Sequence, residues 1–315
     1  MLKLGTLHLK SKLILAPMAG ISDLPFRLLN RKFGAELAFV EMINARSIGH
    51  KSRKTRSMLE TTKEDKPLGV QLLGCEERYI ERALTVLKEY KFDVLDFNAA
   101  CPAKKVVRRG EGAALLKNPK ELQDILKLLV KNSKSPVTVK IRTGWDKNSV
   151  NAKDVALYAQ DAGVDAIFIH GRTKAQEYSG KVDYDVIRKV KKVLTIPLIA
   201  SGDIFDAELI KKMFDETGCD AVAVARGALG NPWIFKGVKP AISEVIKVIL
   251  EHLDACIKCF GEGVGVMKFR KFFIWYTKGF RHIRPLRESA SRAKTRADMV
   301  KIIQACSVQG NQDLF

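Results

Sequence analysis

VLDFNAACP, residues 94–102, and VTVKIRTG, residues 137–144, each set a short β-branched, apolar run against a polar end. The same pattern recurs along the chain, with candidate strands at 13–17, 37–42, 68–73, 94–98, 137–141, 166–170, 197–201 and 221–226. Between them, at 76–90, 120–131, 152–162, 184–193 and 206–215, apolar residues recur every three or four positions, which predicts amphipathic helices. Asn118-Pro119 reads as a helix start, and Gly163 and Gly218 as helix stops. The strand runs are continuous rather than alternating, as in a parallel sheet covered on both faces. Eight strands, each followed by a crossover, within about 235 residues make a (β/α)8 TIM barrel the expected fold. A doubly wound open sheet usually has fewer strands and a Gly-rich first turn. Here the first strand runs into Ala16-Pro17-Met18-Ala19-Gly20 instead.

After Pro240 the strand signals stop and the pattern turns wholly helical. The expected division is a barrel over residues 1–240 and a small helical domain over 241–315, with the boundary near 236–241. Hydrophobic residues make up 46% of the 315, enough for an ordinary core. No apolar run approaches the roughly 20 residues that span a bilayer, and no signal-peptide core follows the basic start, so a soluble cytoplasmic protein without membrane contact is expected. Six irregularly spaced cysteines make no disulfide framework, and Cys256 and Cys259, lacking a second ligand pair nearby, are not read as a metal site.

Charge is more informative. The formal balance is +20, which favours a polyanionic partner over a merely solvated surface. From Lys268 to Lys301 eleven basic residues face only Glu288 and Asp298, interleaved with Phe269, Phe272, Phe273, Trp275, Tyr276 and Phe280. Most of these aromatics read as core, but the basic run, with Arg281, Arg284 and Arg287 at its centre, points to nucleic acid. The earlier stretch Arg46, Lys51, Arg53, Lys54 and Arg56 either joins it or is a solvated helix face.

In such barrels the reacting groups lie at the C-terminal strand ends. Here those ends carry Gln71, Asn98 with Cys101, Lys140 with Arg142, His170 with Arg172, Ser201-Gly202-Asp203 and Ala225-Arg226-Gly227. Small residues after the last two strands suit a phosphate, with Arg226 adding a charged donor. Lys140 can hold negative charge on a ring system, and Gln71 can donate and accept at a heterocycle's edge. The combination suits flavin mononucleotide (FMN) better than a sugar phosphate. Cys101 lies in a loop with Lys104, Lys105, Arg108 and Arg109, cations expected to lower its pKa and keep it accessible. A buried inert thiol is the other reading.

At these residues the sequence resembles the tRNA-dihydrouridine synthase family over most of its length. The motifs are APMAGISDLPFR (16–27), NAACPAKKV (98–106), KIRTGW with HGRTKAQEYSG (140–145 and 170–180), and SGDI with ARGALGNPWIF (201–204 and 225–235). The resemblance implies FMN in the barrel mouth, with Pro17, Met18 and Ala19 along one face and Gln71 and Lys140 at its pyrimidine end. Ser201, Gly202, Asp203, Ala225 and Arg226 would hold its phosphate, and His170 would lie beside the flavin or the uracil. The implied reaction reduces uridine in tRNA to 5,6-dihydrouridine. Hydride passes from reduced flavin to C6, a proton from Cys101 to C5, and NADPH or NADH re-reduces the flavin. Asn98 would orient the uracil, the uridine would be flipped out of the RNA, and Lys104, Lys105, Arg142, Arg172 and the helical domain would hold phosphates. No obligatory protein partner is implied. Ala100, Ser201 and Ala225 stand where the family usually has Gly, Asn and Gly.

Two alternatives share part of this pattern. A free-pyrimidine flavoenzyme, like a dihydroorotate dehydrogenase, would have the barrel, the flavin and the Asn-x-x-Cys-Pro element but no need of a basic tail. A non-catalytic RNA-binding barrel would keep the charge and take up no FMN.

Overall fold

In this computed structural model, residues 1–49 and 53–309 are described. Its strands in chain order are β1 (Leu2–Leu4), β2 (Leu7–Leu9), β3 (Leu13–Leu15), β4 (Leu37–Phe39), β5 (Ile43–Asn44), β6 (Leu68–Leu73), β7 (Val94–Asn98), β8 (Val137–Arg142), β9 (Ala166–His170), β10 (Leu198–Ser201) and β11 (Ala221–Val224). Parallel pairing runs from β3 through β4, β6, β7, β8, β9, β10 and β11 and back to β3. The ring is closed, and the fold is the (β/α)8 barrel. Where β4 meets β6, Phe39 pairs with Gly69. A Cβ on Gly69 would lie 2.2 Å from the Phe39 ring, so that ring occupies the space a side chain would need.

Two features differ from the sequence reading. Residues 1–12, given no role there, form the antiparallel hairpin β1–β2, turning at Gly5 (φ 56°). Its Leu2, Leu4 and Leu9 join Ile14, Leu37, Phe168 and Ile199 inside the barrel and stop its N-terminal end. The expected strand 37–42 is broken. Phe39 faces Gly69 and Ile43 faces Leu72, so β4–β5 carries one residue more than its partner, a bulge. The bulge turns Glu41 and Met42 to the C-terminal mouth.

The strand pleat explains what the mouth receives. Inward residues Ile14, Phe39, Val94, Ala166, Phe168 and Ile199 pack as one apolar cluster, and outward residues such as Leu95, Phe97, Val139, Ile141, Ile167 and Ile169 pack in another with the helices. Continuing the same alternation toward the strand ends brings Gln71, Asp96, Asn98, Thr138, Lys140, His170 and Ser201 inward, above the apolar layer.

The surrounding helices are α1 (Leu24–Lys32), α2 (Ala45–Gly49), α3 (Arg53–Met58), α4 (Glu77–Leu87), α5 (Lys104–Val107), α6 (Pro119–Asn132), α7 (Ala152–Asp161), α8 (Tyr184–Val193) and α9 (Ala207–Thr217). Asn118 caps α6 by accepting from the Glu121 amide at 3.3 Å, and Gly218 ends α9 in the left-handed region at φ 68°. Four helices follow: α10 (Ile242–Phe260), α11 (Glu262–Tyr276), α12 (Arg284–Arg292) and α13 (Arg296–Gln309). A Cβ on Gly265 would lie 2.7 Å from the Cys256 carbonyl oxygen, so glycine there lets α11 cross close to α10. Phe272 of α11 stacks on Phe26 of α1 with ring centroids 5.4 Å apart, joining the tail to the barrel's outer layer. No helix among the described residues is long and apolar enough to cross a membrane.

His252 lies in that junction, fully buried, 4.4 Å from the Phe272 ring centroid. Its Nδ1 meets the Tyr276 hydroxyl at 3.0 Å, while Nε2 has no partner among the described residues. Desolvation, and next the charge of Lys271, push its pKa down to about 3. The unfolded chain therefore binds a proton near pH 6.5 that the folded chain refuses. Stability is full above that value and is lost as pH falls below it. The urea midpoint is expected to drop between pH 7.5 and 5.5, and less steeply in His252→Phe; equal slopes would exclude this histidine as the cause.

Candidate active site

Asn98 ends β7 and shapes the loop after it. Its Oδ1 accepts from the backbone amides of Ala100 at 2.9 Å and Cys101 at 2.8 Å. Arg142, from the end of β8, donates through Nε to the Ala100 carbonyl at 2.7 Å and through Nη1 to the carbonyls of Thr173 (2.9 Å) and Glu177 (2.8 Å). Behind the loop, Ala113 donates to the Cys101 carbonyl, and Gly112 at φ 63° leaves room for it; a Cβ there would lie 2.8 Å from that oxygen. Ala100 and Ala225 both avoid positive φ, so neither alanine, in a position usual for glycine, occupies the left-handed region.

On the opposite rim, residues 17–22 are tied by their own bonds. Met18 donates to Ser22 Oγ at 3.0 Å, Ile21 and Ser22 donate back to the Met18 carbonyl, Gly20 donates to Glu41, and Lys271 of α11 donates to the Gly20 carbonyl. After β10, the backbone turns through Gly202 (φ 129°) and Asp203 (φ 48°). The Asp203 carboxylate accepts from Arg172 and, at 2.7 Å, from Arg226. Among the described residues nothing accepts from the amides of Gly202, Asp203, Arg226 or Gly227.

These rims enclose a cavity of about 320 Å³. All the candidates for cofactor contact line it: Pro17, Met18, Ala19, Gln71, Lys140, His170, Ser201, Gly202, Asp203, Ala225 and Arg226. Cys101, Asn98 and Arg142 line it too, with Met42, Tyr178 and Phe205, which the sequence reading passed over. Tyr178 and Phe205 are exposed aromatics lying 5.0 and 5.7 Å from the Arg226 guanidinium. Strand-end position was the signal for most of the lining. Tyr178 and Phe205 sit deep in loops, where no periodicity marks them.

The electrostatics follow from burial. Lys140 makes no hydrogen bond or ion pair among the described residues, and desolvation lowers its pKa to about 8 against the pull of Asp96. Desolvation and then the charges of Arg142, Lys140, Arg172 and Arg226 hold His170 down to about 2, so it is neutral, and its Nδ1 is buried without a partner among the described residues. Cys101 departs from expectation. Its pKa is raised, chiefly by burial, despite the Ala103 amide and the Arg142 charge. Lys104 and Lys105 point to solvent on α5, and Arg109 is spent on the buried Glu111.

Not every candidate reaches the mouth's surface. Arg142 and Arg172 are only 2% exposed, their guanidinium groups committed to carbonyls and to Asp203. In the tail Arg284 is exposed and pairs with Glu288, whereas Arg287 donates to Thr277 Oγ1 and the Ile274 carbonyl at the end of α11. Of the early basic stretch, Arg46 pairs with Glu76, and Lys51 lies outside the described residues, as do the side chains of Arg53 and Lys54.

A closed barrel with a thiol, an ammonium, a neutral imidazole and unfilled amides at its strand ends defines a (β/α)8-barrel enzyme. More narrowly, the chain belongs to the dihydrouridine synthase family of oxidoreductases, whose sequence model matches residues 14–311. It is 38% identical over 289 residues to tRNA-dihydrouridine synthase B of Pasteurella multocida, covering 88% of this chain and 87% of that one. It is 40% identical over 291 residues to a probable tRNA-dihydrouridine synthase of Rickettsia typhi, covering 89% of each. Among solved structures, the 6-hydroxypseudooxynicotine amine oxidase of Pseudomonas geniculata matches with a TM-score of 0.57, over 78% of this chain and 52% of that one, at 12% identity. That likeness is one of fold alone.

Because burial keeps the Cys101 thiol protonated, its alkylation by iodoacetamide, followed by peptide mass spectrometry, is expected to be slow at pH 7.5. The rate should keep rising past pH 9, above the ordinary thiol range of about 8.5. A plateau below pH 8 would restore the lowered pKa of the sequence reading.

Proposed function

We propose that this protein reduces specific uridines in tRNA to 5,6-dihydrouridine, using FMN in the barrel mouth and NADPH or NADH as electron donor. The observation that carries the proposal is the meeting of the Cys101 thiol with Lys140, His170 and the free amides in one cavity of a dihydrouridine synthase barrel. The relatives named as acting on tRNA match nearly the whole chain. We read residues 1–240 as the catalytic barrel and 241–315 as a basic RNA-binding unit, working in the cytoplasm.

The residues fit FMN. Orphaned His170 Nδ1 and unpaired Lys140 leave polar atoms waiting in the cavity, and the amides of Gly202, Asp203, Arg226 and Gly227 offer a phosphate cradle beside Arg226. Pro17, Met18 and Ala19 would lie along the ring, Gln71 and Lys140 at its pyrimidine end, and Ser201 and Ala225 beside the phosphate. When bound, reduced FMN supplies the hydride that uracil accepts at C6, and NAD(P)H restores it.

The protein's own part is to position the uracil and to supply the proton. The C4 carbonyl polarises the uracil C5=C6 bond, so a hydride gained at C6 sends an electron pair toward O4. Cys101 S–H then delivers its proton to C5. A thiol whose pKa is raised by burial holds that proton at neutral pH, as a donor should. Asn98 orients the uracil ring, and Lys140, protonated below about pH 8, sets a positive charge at the flavin's pyrimidine end. A base inside folded RNA must be flipped out to reach this depth. Lys104, Lys105 and the exposed tail arginines are placed to attract phosphates, while Arg142 and Arg172 shape the mouth from within. The basic tail favours this reading over a free-pyrimidine enzyme.

Cys101→Ala is expected to keep FMN and tRNA binding and to lose dihydrouridine formation by at least about 100-fold, the usual scale of a lost general acid. Nucleoside mass spectrometry of a tRNA substrate measures this, and undiminished product would remove the thiol from its role. Arg281→Gln with Arg284→Gln is expected to weaken tRNA binding and to lower the slope of log Kd against log salt by roughly 0.7–0.9 for each phosphate no longer neutralised. An unaltered slope would leave the tail a solvated surface. Arg287 is spared in this test because it holds the end of α11.

A further inference from the structure

Asp96 lies on β7 two residues before Asn98, buried at 2% exposure directly above the apolar layer of the barrel. Leu or Val would pack there with Phe39, Val94 and Phe168, and stability alone favours an apolar side chain over a buried carboxylate. Asp96 instead accepts from Thr138 Oγ1 at 2.6 Å and from Gln71 Nε2 at 2.7 Å. Gln71 Oε1 accepts in turn from Asn98 Nδ2 at 2.8 Å, and Asn98 Oδ1 accepts from the Cys101 amide at 2.8 Å. A single line of hydrogen bonds thus climbs from the barrel core to the loop that carries the thiol.

The line has a direction. At the lower end a carboxylate can only accept, and at the upper end a backbone N–H can only donate. Gln71 and Asn98 each have one donor group and one acceptor, so only one orientation of the two amides satisfies both ends. We infer that Asp96 is a positioning residue: by accepting only, it fixes the Gln71–Asn98 amide line so that Asn98 keeps its oxygen on the Cys101 loop. The same orientation leaves the second Asn98 Nδ2 hydrogen on the side of Met42, whose sulfur, 3.1 Å away, is a weak acceptor at the cavity wall. A ring carbonyl displaces that sulfur readily, whereas a ring amino group meets a donor. Resting on the proposed reading, Asp96 thereby selects a pyrimidine by its carbonyl edge, favouring uracil over cytosine, although it touches neither flavin nor base.

The test uses full-length protein with saturating FMN, its occupancy read by absorbance. It follows Cys101 alkylation by iodoacetamide, which does not depend on the tRNA reading, and separately kcat and KM for tRNA. Asp96→Leu is expected to speed alkylation about tenfold and to lower kcat at least about 30-fold, with KM held within about threefold. Gln71→Met should do the same, and the double variant should be no worse than either single, because both cut one line. Asp96→Asn can turn its carbonyl to Gln71 and its amino group to the Thr138 hydroxyl, and should stay within about threefold of the parent in both readouts. Additive losses, unchanged alkylation in Asp96→Leu, or an Asp96→Asn as impaired as Asp96→Leu would each overturn the inference. Should Asp96→Leu fail to fold, Gln71→Met must loosen Cys101 and Asp96→Asn must not; any other pattern overturns it. A parent with no activity on tRNA would sink the functional reading alone, leaving the alkylation pattern to judge Asp96.

Discussion

Everything at the mouth depends on the pairing of β4 with β6 that closes the ring, and that pairing depends on Phe39 lying over Gly69. Any side chain at 69 would collide with the ring at 2.2 Å. An open edge there would leave the strand ends splayed, with no common axis on which Gln71, Asn98, Lys140 and His170 could converge. The bulge just beyond it, which sets Ile43 opposite Leu72, is the counterpart of that closure. It reorients the chain so that Glu41 can hold Gly20 and Met42 can reach Asn98. Closure and site geometry are thus two outcomes of one local contact.

Much of this was legible in the sequence because the barrel is built from short-range patterns. The strand runs 68–73, 94–98 and 166–170 coincide with β6, β7 and β9, and strand-end position alone marks most of the cavity lining. What escaped is what tertiary packing decides. The hairpin Leu2–Leu9 has two three-residue strands, too short for periodicity to register, and its purpose exists only once a barrel needs stopping. The Cys101 pKa runs against the expectation because burial outweighs the cations, Arg109 included, and the buried Glu111 opposes them. Lys104 and Lys105 face solvent, Arg109 answers Glu111, and burial decides the direction. Charge alone likewise did not tell the depth of Arg142 and Arg172, both of which are buried.

The mouth is a place where positive charge has been buried on purpose and then metered. Arg172 and Arg226 share the Asp203 carboxylate, and Asp96 tempers Lys140 from below without touching it. Four cations crowd His170, which answers by staying neutral. The cavity lining thus combines cationic side chains with backbone amides that find no acceptor among the described residues, a setting that suits an electron-rich guest.

Arg142 carries a consequence for how such proteins diversify. One guanidinium spans the thiol-bearing segment and the 173–177 stretch, so the two cannot drift independently. A lengthened or shortened stretch in a descendant would tug at the cysteine's backbone before it altered any contact with a guest. Variation in substrate choice is therefore cheaper elsewhere on the rim, and a graft that exchanges one of these segments must bring the other with it.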